Sequence, residues 1–317
     1  MSHKATTQSV TQSTVNYQVP HHKDKPFGGA GPVQNPEVLN NIDQNFRFDL
    51  GDEHIHYKFI NSYRRWIAET QANRWQGLED FEHAVVTHGT TEAFDKFYMR
   101  NHSRRFRCFR GEYMYHQLAW RRSWPNQWAF LEDGEIDAND AVVISYPFAD
   151  TGNAHHLSSA VLAECTRLGV PVLIDCAYFG ICAGITFDVQ WPCITDIAFS
   201  LSKTFPVAHA RIGMRLTRED DDDAGFVLQK SGYVNRFACG LGDFLLTQYS
   251  ADYCYNRYAK TQTLFCDQLG VWPSPCVIFG IGGDAWQHYN RGTRTNRLSF
   301  YKYLEEGIIP NEGGHNI

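Results

Sequence analysis

Short apolar runs alternate with helix-spaced segments through the centre of this chain. Ala84-Val-Val-Thr87, Ala141-Val-Val-Ile-Ser145, Val170-Pro-Val-Leu-Ile174 and Asp196-Ile-Ala-Phe199 read as buried strands. Between them, Glu92 to Met99 and His156 to Leu168 read as helices. Upstream, the aromatic spacing from Phe59 to Glu69 suits a helix, and Gly77 to His83 starts another with acids in its first turn. The chain from Ser231 to Gln268 reads as one long aromatic-rich helix, and Val277 to Phe300 holds two strand-like pieces around Gly280 to Gly283. Residues 1 to about 45 are rich in Gln, Thr, Ser, Asn, Pro and Gly and read as a poorly ordered arm followed by a loop. Strands alternating with helices predict an α/β fold with a parallel sheet wrapped on both faces.

Composition narrows the class. The 317 residues suffice for one large domain or two, and 43% hydrophobic with 20% charged residues is ordinary for a globular protein. A net charge of −6 supplies no basic stripe, so nucleic acid is not expected as a partner. No apolar run is long enough to span a membrane, and the first residues lack the apolar stretch of a secretory signal. Nine scattered cysteines with no CxxC pair point to buried, reduced thiols and a cytoplasmic setting. The pairs His54/His56 and His155/His156 lack partners at ligand spacing, so no metal is expected. The sequon Asn101-His-Ser103 is expected to be idle, and the acidic run Glu219 to Asp223 reads as a solvated loop.

Four segments at strand ends carry chemistry, where ligands sit in doubly wound sheets. His88-Gly-Thr-Thr-Glu-Ala93 offers backbone N–H groups after Gly89 and the hydroxyls of Thr90 and Thr91 to a phosphate, or simply caps a helix. Asp175-Cys-Ala-Tyr178 ends a buried strand with a carboxylate that needs a partner, such as a protonated heterocyclic nitrogen, or else caps the next turn. Ser200-Leu-Ser-Lys203 places an amine in an apolar setting that favours its neutral, nucleophilic form, and Arg211 adds a phosphate-gripping fork. Tyr113-Met-Tyr-His116 offers an aromatic face and an imidazole, or plain core packing.

Taken in order, these segments resemble the fold-type I pyridoxal-phosphate enzymes of the aspartate aminotransferase family, best over residues 70–215. The resemblance implies a three-layer α/β/α large domain with a mostly parallel sheet and a reduced small domain built from both termini. The corresponding divisions are 1–50 (arm and part of the small domain), 51–245 (cofactor-binding domain) and 246–317 (rest of the small domain). It implies pyridoxal 5'-phosphate as cofactor, a Schiff base at Lys203, and Asp175 keeping the pyridine nitrogen protonated. Tyr178 would contact the ring's phenolic oxygen. Gly89, Thr90, Thr91, Ser200, Ser202 and Arg211 would bind the phosphate. Tyr113 would stack on the ring, with His116 supporting Asp175. Asn296-Arg297-Leu-Ser299 is similar to the segment that grips the substrate α-carboxylate, which assigns that role to Arg297, with Arg291 and Arg294 as competitors. A homodimer is implied as well.

The sequence departs from the family in two places. Ala149 or Asp150 stands where an asparagine usually touches the ring oxygen, with Asn153 nearby. Only Trp75 lies near where a tyrosine usually reaches the neighbouring subunit's phosphate. The expected activity is an aminotransferase interconverting small amino and keto acids. The alternatives are a lyase or decarboxylase on the same cofactor, or a non-catalytic binding module.

Overall fold

A computed structural model describes residues 25–117, 128–219 and 223–310. The first helix, α1 (Pro36–Asn45), lies inside the stretch expected to be arm and loop. Asn35 caps it, its side-chain oxygen accepting from the N–H groups of Glu37 at 2.9 Å and Val38 at 3.3 Å, with Pro36 in the first turn. Helix α2 (Ile55–Ala68) begins a turn earlier than its spacing suggested. Gly77 to His83 is not a helix. β1 (Arg74–Gln76) precedes it, Leu78–Asp80 forms a single 3-10 turn, and β2 (His83–His88) starts at its last residue. Gly77 sits at φ +81 against the backbone of Gln190, and Phe81 is buried under the Arg218 guanidinium, so the segment is fixed by packing.

Past α3 (Thr90–Arg100), the chain lays down β3 (Arg105–Cys108), β4 (Trp128–Phe130) and β5 (Asp140–Ser145). Helix α4 (Ser158–Leu168), β6 (Val172–Asp175), β7 (Thr186–Asp188), β8 (Ile194–Ser200) and β9 (Ile212–Thr217) follow. Seven strands form the main sheet in the order β2-β9-β8-β6-β5-β3-β4, with β1 and β7 paired apart from it. Only β9 runs antiparallel to its neighbours. Every residue of β5 and β6 is buried, as expected of central parallel strands covered on both faces.

Strand alternation divides the core into two layers. Ala141 and Val143 join Phe94, Phe97 and Tyr98 of α3 on one face. Val142 and Ile144 join Phe59, Tyr63 and Trp66 of α2 and Leu162 of α4 on the other. The three-layer α/β/α reading therefore holds.

The long helix expected from Ser231 to Gln268 is broken. After α5 (Ala224–Lys230), α6 (Arg236–Gln248) and α7 (Tyr253–Leu269) are separated by an extended Tyr249. Contacts distant in sequence hold the break: the Trp66 indole donates to Tyr249 O at 2.9 Å, and the Asp252 carboxylate accepts from Thr70 Oγ1 at 2.5 Å and from Gln71 N at 2.6 Å. Asp223 is no solvated loop residue either: it pairs with the buried Arg215 and caps α5. The chain ends in a three-stranded antiparallel sheet, β10 (Trp272–Pro273), β11 (Phe279–Gly282) and β12 (Asn296–Ser299).

The expected arm up to residue 24 lies outside the described residues, whereas the glycine-rich segment before α1 packs onto the C-terminal sheet. Phe27 is fully buried among Trp286, Phe300 and Tyr303, and its carbonyl accepts from Ser299 N at 2.9 Å. All nine cysteines are buried with free thiols. Asn101 is buried too, its amide donating to Phe97 O at 2.9 Å. Among the described residues no helix is long and apolar enough to cross a membrane, and no group of three His, Cys, Asp or Glu could hold a metal ion.

Candidate active site

The carboxyl ends of β5, β6 and β8 converge on one edge of the sheet. Antiparallel β9 starts there as well, which brings in Arg211 immediately before it. A cavity of about 410 Å³ opens at this edge. Its lining includes Thr90, Thr91, Tyr113, Asp175, Tyr178, Ser200, Ser202, Lys203, Arg211, Arg291 and Arg297. Thus most of the residues singled out in the sequence share one space. Gly89 and His116 stand behind the lining, and Arg294 does not reach it.

One end is a hydroxyl and guanidinium cradle. The Ser200 and Ser202 hydroxyls are 2.7 Å apart, and Arg211 Nη1 donates to Ser202 Oγ at 3.3 Å. Arg211 Nη2 donates to Thr91 Oγ1 and His88 O, both at 3.3 Å. Gly89, at φ +71, turns the chain from β2 into α3, so the first amides of that helix open toward the cradle. A Cβ there would sit 2.4 Å from Arg211 Nη2, so any larger residue would push the guanidinium from its place. Such a concave set of donors fits a phosphate.

Asp175 forms the floor. It is buried, accepts a hydrogen bond from Ala177 N at 3.0 Å, and burial lifts its pKa to about 7, with Ala177 and Lys203 opposing. A cationic ring nitrogen would stabilise its anion. Behind it His116 is fully buried, with Tyr98 OH 2.5 Å from Nδ1, and burial drops its pKa to about 3. Tyr113 is half exposed at the cavity wall, beside the parallel ring of Tyr115.

Lys203 follows β8 by three residues and reaches across the cavity, where Nζ donates to Ala30 O at 2.7 Å. Burial first, and the nearby Arg297 second, lower its pKa to about 8, against the pull of Asp175. An amine so placed is readily neutral and nucleophilic.

The far end carries two guanidinium groups. Arg297 is buried, stacks 4.3 Å over the Phe279 ring, and donates to Ala149 O and, at 3.2 Å, to Gly29 O. Burial lowers its pKa to about 10. Arg291 also donates to Ala149 O, at 3.4 Å, and pairs with the buried Asp150 at 3.5 Å. Of the residues weighed near the missing asparagine, Ala149 lines the cavity, and its carbonyl is the polar group it contributes. Asp150 turns to Thr293 at 2.6 Å, and Asn153 is exposed with its side-chain oxygen on Ala154 N. Trp75 is stacked on Phe187 at 4.4 Å, partly buried against the core.

Several lining residues escaped the sequence reading: Gly28, Gly29, Ala30, Ser145 and Tyr301. The turn-rich Pro26 to Pro32 segment was visible, but that it folds over the cavity depends on Phe27 finding its pocket in the C-terminal sheet. Ser145 was discoverable as the strand-end neighbour of Asp175, with which it pairs across β5 and β6.

No protein-family model and no curated protein matches the sequence. Solved structures do. An aspartate aminotransferase double mutant from Thermus thermophilus aligns with TM-score 0.61 and 15% identity, over 89% of this chain and 88% of that one. Tyrosine aminotransferase from Leishmania infantum gives 0.61 and 13%, over 96% and 99%. A pyridoxal-phosphate-bound C–S lyase from Staphylococcus hominis gives 0.62 and 11%, over 94% and 89%. The chain has the fold of the fold-type I pyridoxal-phosphate aminotransferases.

Proposed function

We propose that this protein is a pyridoxal-phosphate-dependent aminotransferase acting on a small amino acid, with a keto acid as the second substrate. The observation that carries this reading is the sharing of one cavity by the Lys203 amine, the buried Asp175 carboxyl and the Arg211 cradle. The cavity suits the cofactor on its own chemistry, because the Thr91 and Ser202 hydroxyls gather on the Arg211 guanidinium at one end and Asp175 is a buried carboxyl in its lining. When bound, pyridoxal phosphate supplies an electron sink that stabilises negative charge at the substrate Cα.

Thr90, Thr91, Ser200, Ser202, Arg211 and the first amides of α3 would bind its phosphate. Asp175 would hold a proton on the ring nitrogen, with His116 supporting it from behind. Tyr113 would cover one ring face, and Tyr178 would donate to the ring oxygen. Lys203 would anchor the cofactor and, once displaced by the substrate amine, take the Cα proton on Nζ, a role suited to an amine whose pKa lies near 8. Arg297 would orient the substrate through its carboxylate.

A lyase is the second reading, since a C–S lyase is among the similar structures and Ala149 or Asp150 stands where an asparagine is usual. A homodimer in the cytoplasm and the divisions at residues 50 and 245 belong to the same proposal. The test is to add pyridoxal phosphate and screen amino acids for loss of its visible absorption band, identifying the product. A keto acid from an intact carbon skeleton supports the aminotransferase; ammonia with a cleaved skeleton supports the lyase.

A further inference from the structure

We infer that Glu112 is a positioning residue for the substrate-anchoring arginine, acting through Ser145 and the backbone of Ala149; the inference rests on the proposed role of Arg297.

Ala149 has no polar side chain, and its carbonyl is the acceptor that the two guanidinium groups at this end of the cavity share, Arg297 reaching Gly29 O and Arg291 reaching Asp150 besides. Arg297 and Arg291 both donate to it. A single oxygen can orient two cations only if the backbone of its residue is held in place. The holding contact is on the N–H of the same residue, in the preceding peptide. Ala149 N donates to Ser145 Oγ at 2.9 Å. The Ser145 hydroxyl donates in turn to one Glu112 carboxyl oxygen, and Ser145 N donates to the other at 2.8 Å. Ser145 is itself locked in the sheet, opposite Asp175. Hydrogen bonds from Glu112 through Ser145 thus fix the backbone of Ala149, and the carbonyl of that residue meets the guanidinium of Arg297.

Glu112 is enclosed and does not line the cavity, so it has no route to the substrate. A buried carboxyl is costly unless its hydrogen bonds are made, and here both oxygens are used by one serine. Burial lifts its pKa to about 8, with the serine's hydrogen bonds opposing, so at neutral pH it is largely uncharged. The path survives that protonation, because a serine hydroxyl can accept as well as donate. A neutral Glu112 also spares the nearby Asp175 a second negative charge, which fits a role in holding geometry.

The experiment uses the protein loaded with pyridoxal phosphate and propionate as the probe, a carboxylate with no amine to react. Its binding is followed by ligand-observed saturation-transfer NMR. Ser145→Ala and Glu112→Ala should each raise the propionate Kd about tenfold while changing pyridoxal-phosphate affinity less than about twofold, the scale of one lost hydrogen bond. Ser145→Thr and Glu112→Gln, which keep an acceptor or hydroxyl in the path, should recover most of the loss. Should Glu112→Ala not fold, the two Ser145 variants carry the test.

Native-like propionate binding in Ser145→Ala, with loss in Arg297→Ala, would overturn the path while leaving the role of Arg297 intact. Native-like binding in Arg297→Ala would remove that role and the inference with it. Parallel loss of propionate and cofactor in Ser145→Ala would mark general collapse of the site and would also overturn positioning.

Discussion

Arg211 occupies the space that a side chain at residue 89 would need. A Cβ on Gly89 would lie 2.4 Å from Arg211 Nη2. Both residues have positive φ, +71 at Gly89 and 54 at Arg211, so the turn into α3 and the guanidinium beside it form one interlocked feature. Gly89→Ala meets both a clash and a strained backbone, together about 1–3 kcal/mol or more. The variant should lose at least about tenfold in pyridoxal-phosphate affinity, since the displaced guanidinium no longer faces the cradle. Titration of the visible absorption band measures it, and unchanged affinity would remove the cradle assignment.

Asp175 has a signature in stability as well as in rate. Burial holds its proton to about pH 7, against 3.8 ordinarily. Between those values the folded protein binds a proton that the unfolded chain has released, so this contribution falls as pH rises, by up to about 1.4 kcal/mol per unit. It is complete below the unfolded value and gone above about 7. Denaturant titrations of cofactor-free protein should therefore show native stability dropping relative to Asp175→Asn from pH 4.5 to 7, a range chosen inside the window set by the shift. A pH-independent difference would mean that the carboxyl is solvated.

In the loaded enzyme the same substitution removes the anion that would keep the ring nitrogen protonated. Turnover should fall by about 3 kcal/mol of transition-state stabilisation, on the order of a hundredfold, with cofactor still bound. Steady-state kinetics at saturating cofactor decide it. Near-native turnover would contradict the assignment.

Arg297 and Arg291 can be separated because their partners differ. Arg291 is paired with Asp150, whereas Arg297 donates to the Ala149 and Gly29 carbonyls, lies over the Phe279 face and meets the Tyr178 hydroxyl. Arg297→Lys should weaken capture of an α-carboxylate substrate by about 2–5 kcal/mol, because an ammonium cannot reproduce the planar fork. Cofactor binding should be unaffected. Comparing KM with cofactor affinity in both arginine variants identifies the anchor; a larger effect at Arg291 would transfer the role.

The sheet was legible because its central strands are buried on both faces and therefore appear as uninterrupted apolar runs, Ala141 to Ser145 being the clearest. Strand ends then located Asp175, Lys203 and Arg211 without knowledge of the pairing. Elements set by distant contacts were not legible. Nothing local marks the break at Tyr249, which depends on Trp66 and on Asp252 receiving the 70–72 turn. β3, between β5 and the edge strand β4, reads as charged, Arg105-Phe-Arg-Cys108, because Asp140 pairs with both arginines, the buried Arg107 and the partly exposed Arg105. The covering Gly28 to Ala30 segment read as loop because what holds it is remote in sequence, above all Phe27, whose partners lie more than 250 residues further along the chain.

The central claim is that Lys203 carries the cofactor. The direct measurement is borohydride reduction of the protein with bound pyridoxal phosphate, followed by peptide mapping. The account predicts a reduced pyridoxyl group on Lys203, and in Lys203→Ala a folded protein that binds the cofactor without being labelled and does not turn over. Labelling of another lysine, or turnover by Lys203→Ala, would contradict it.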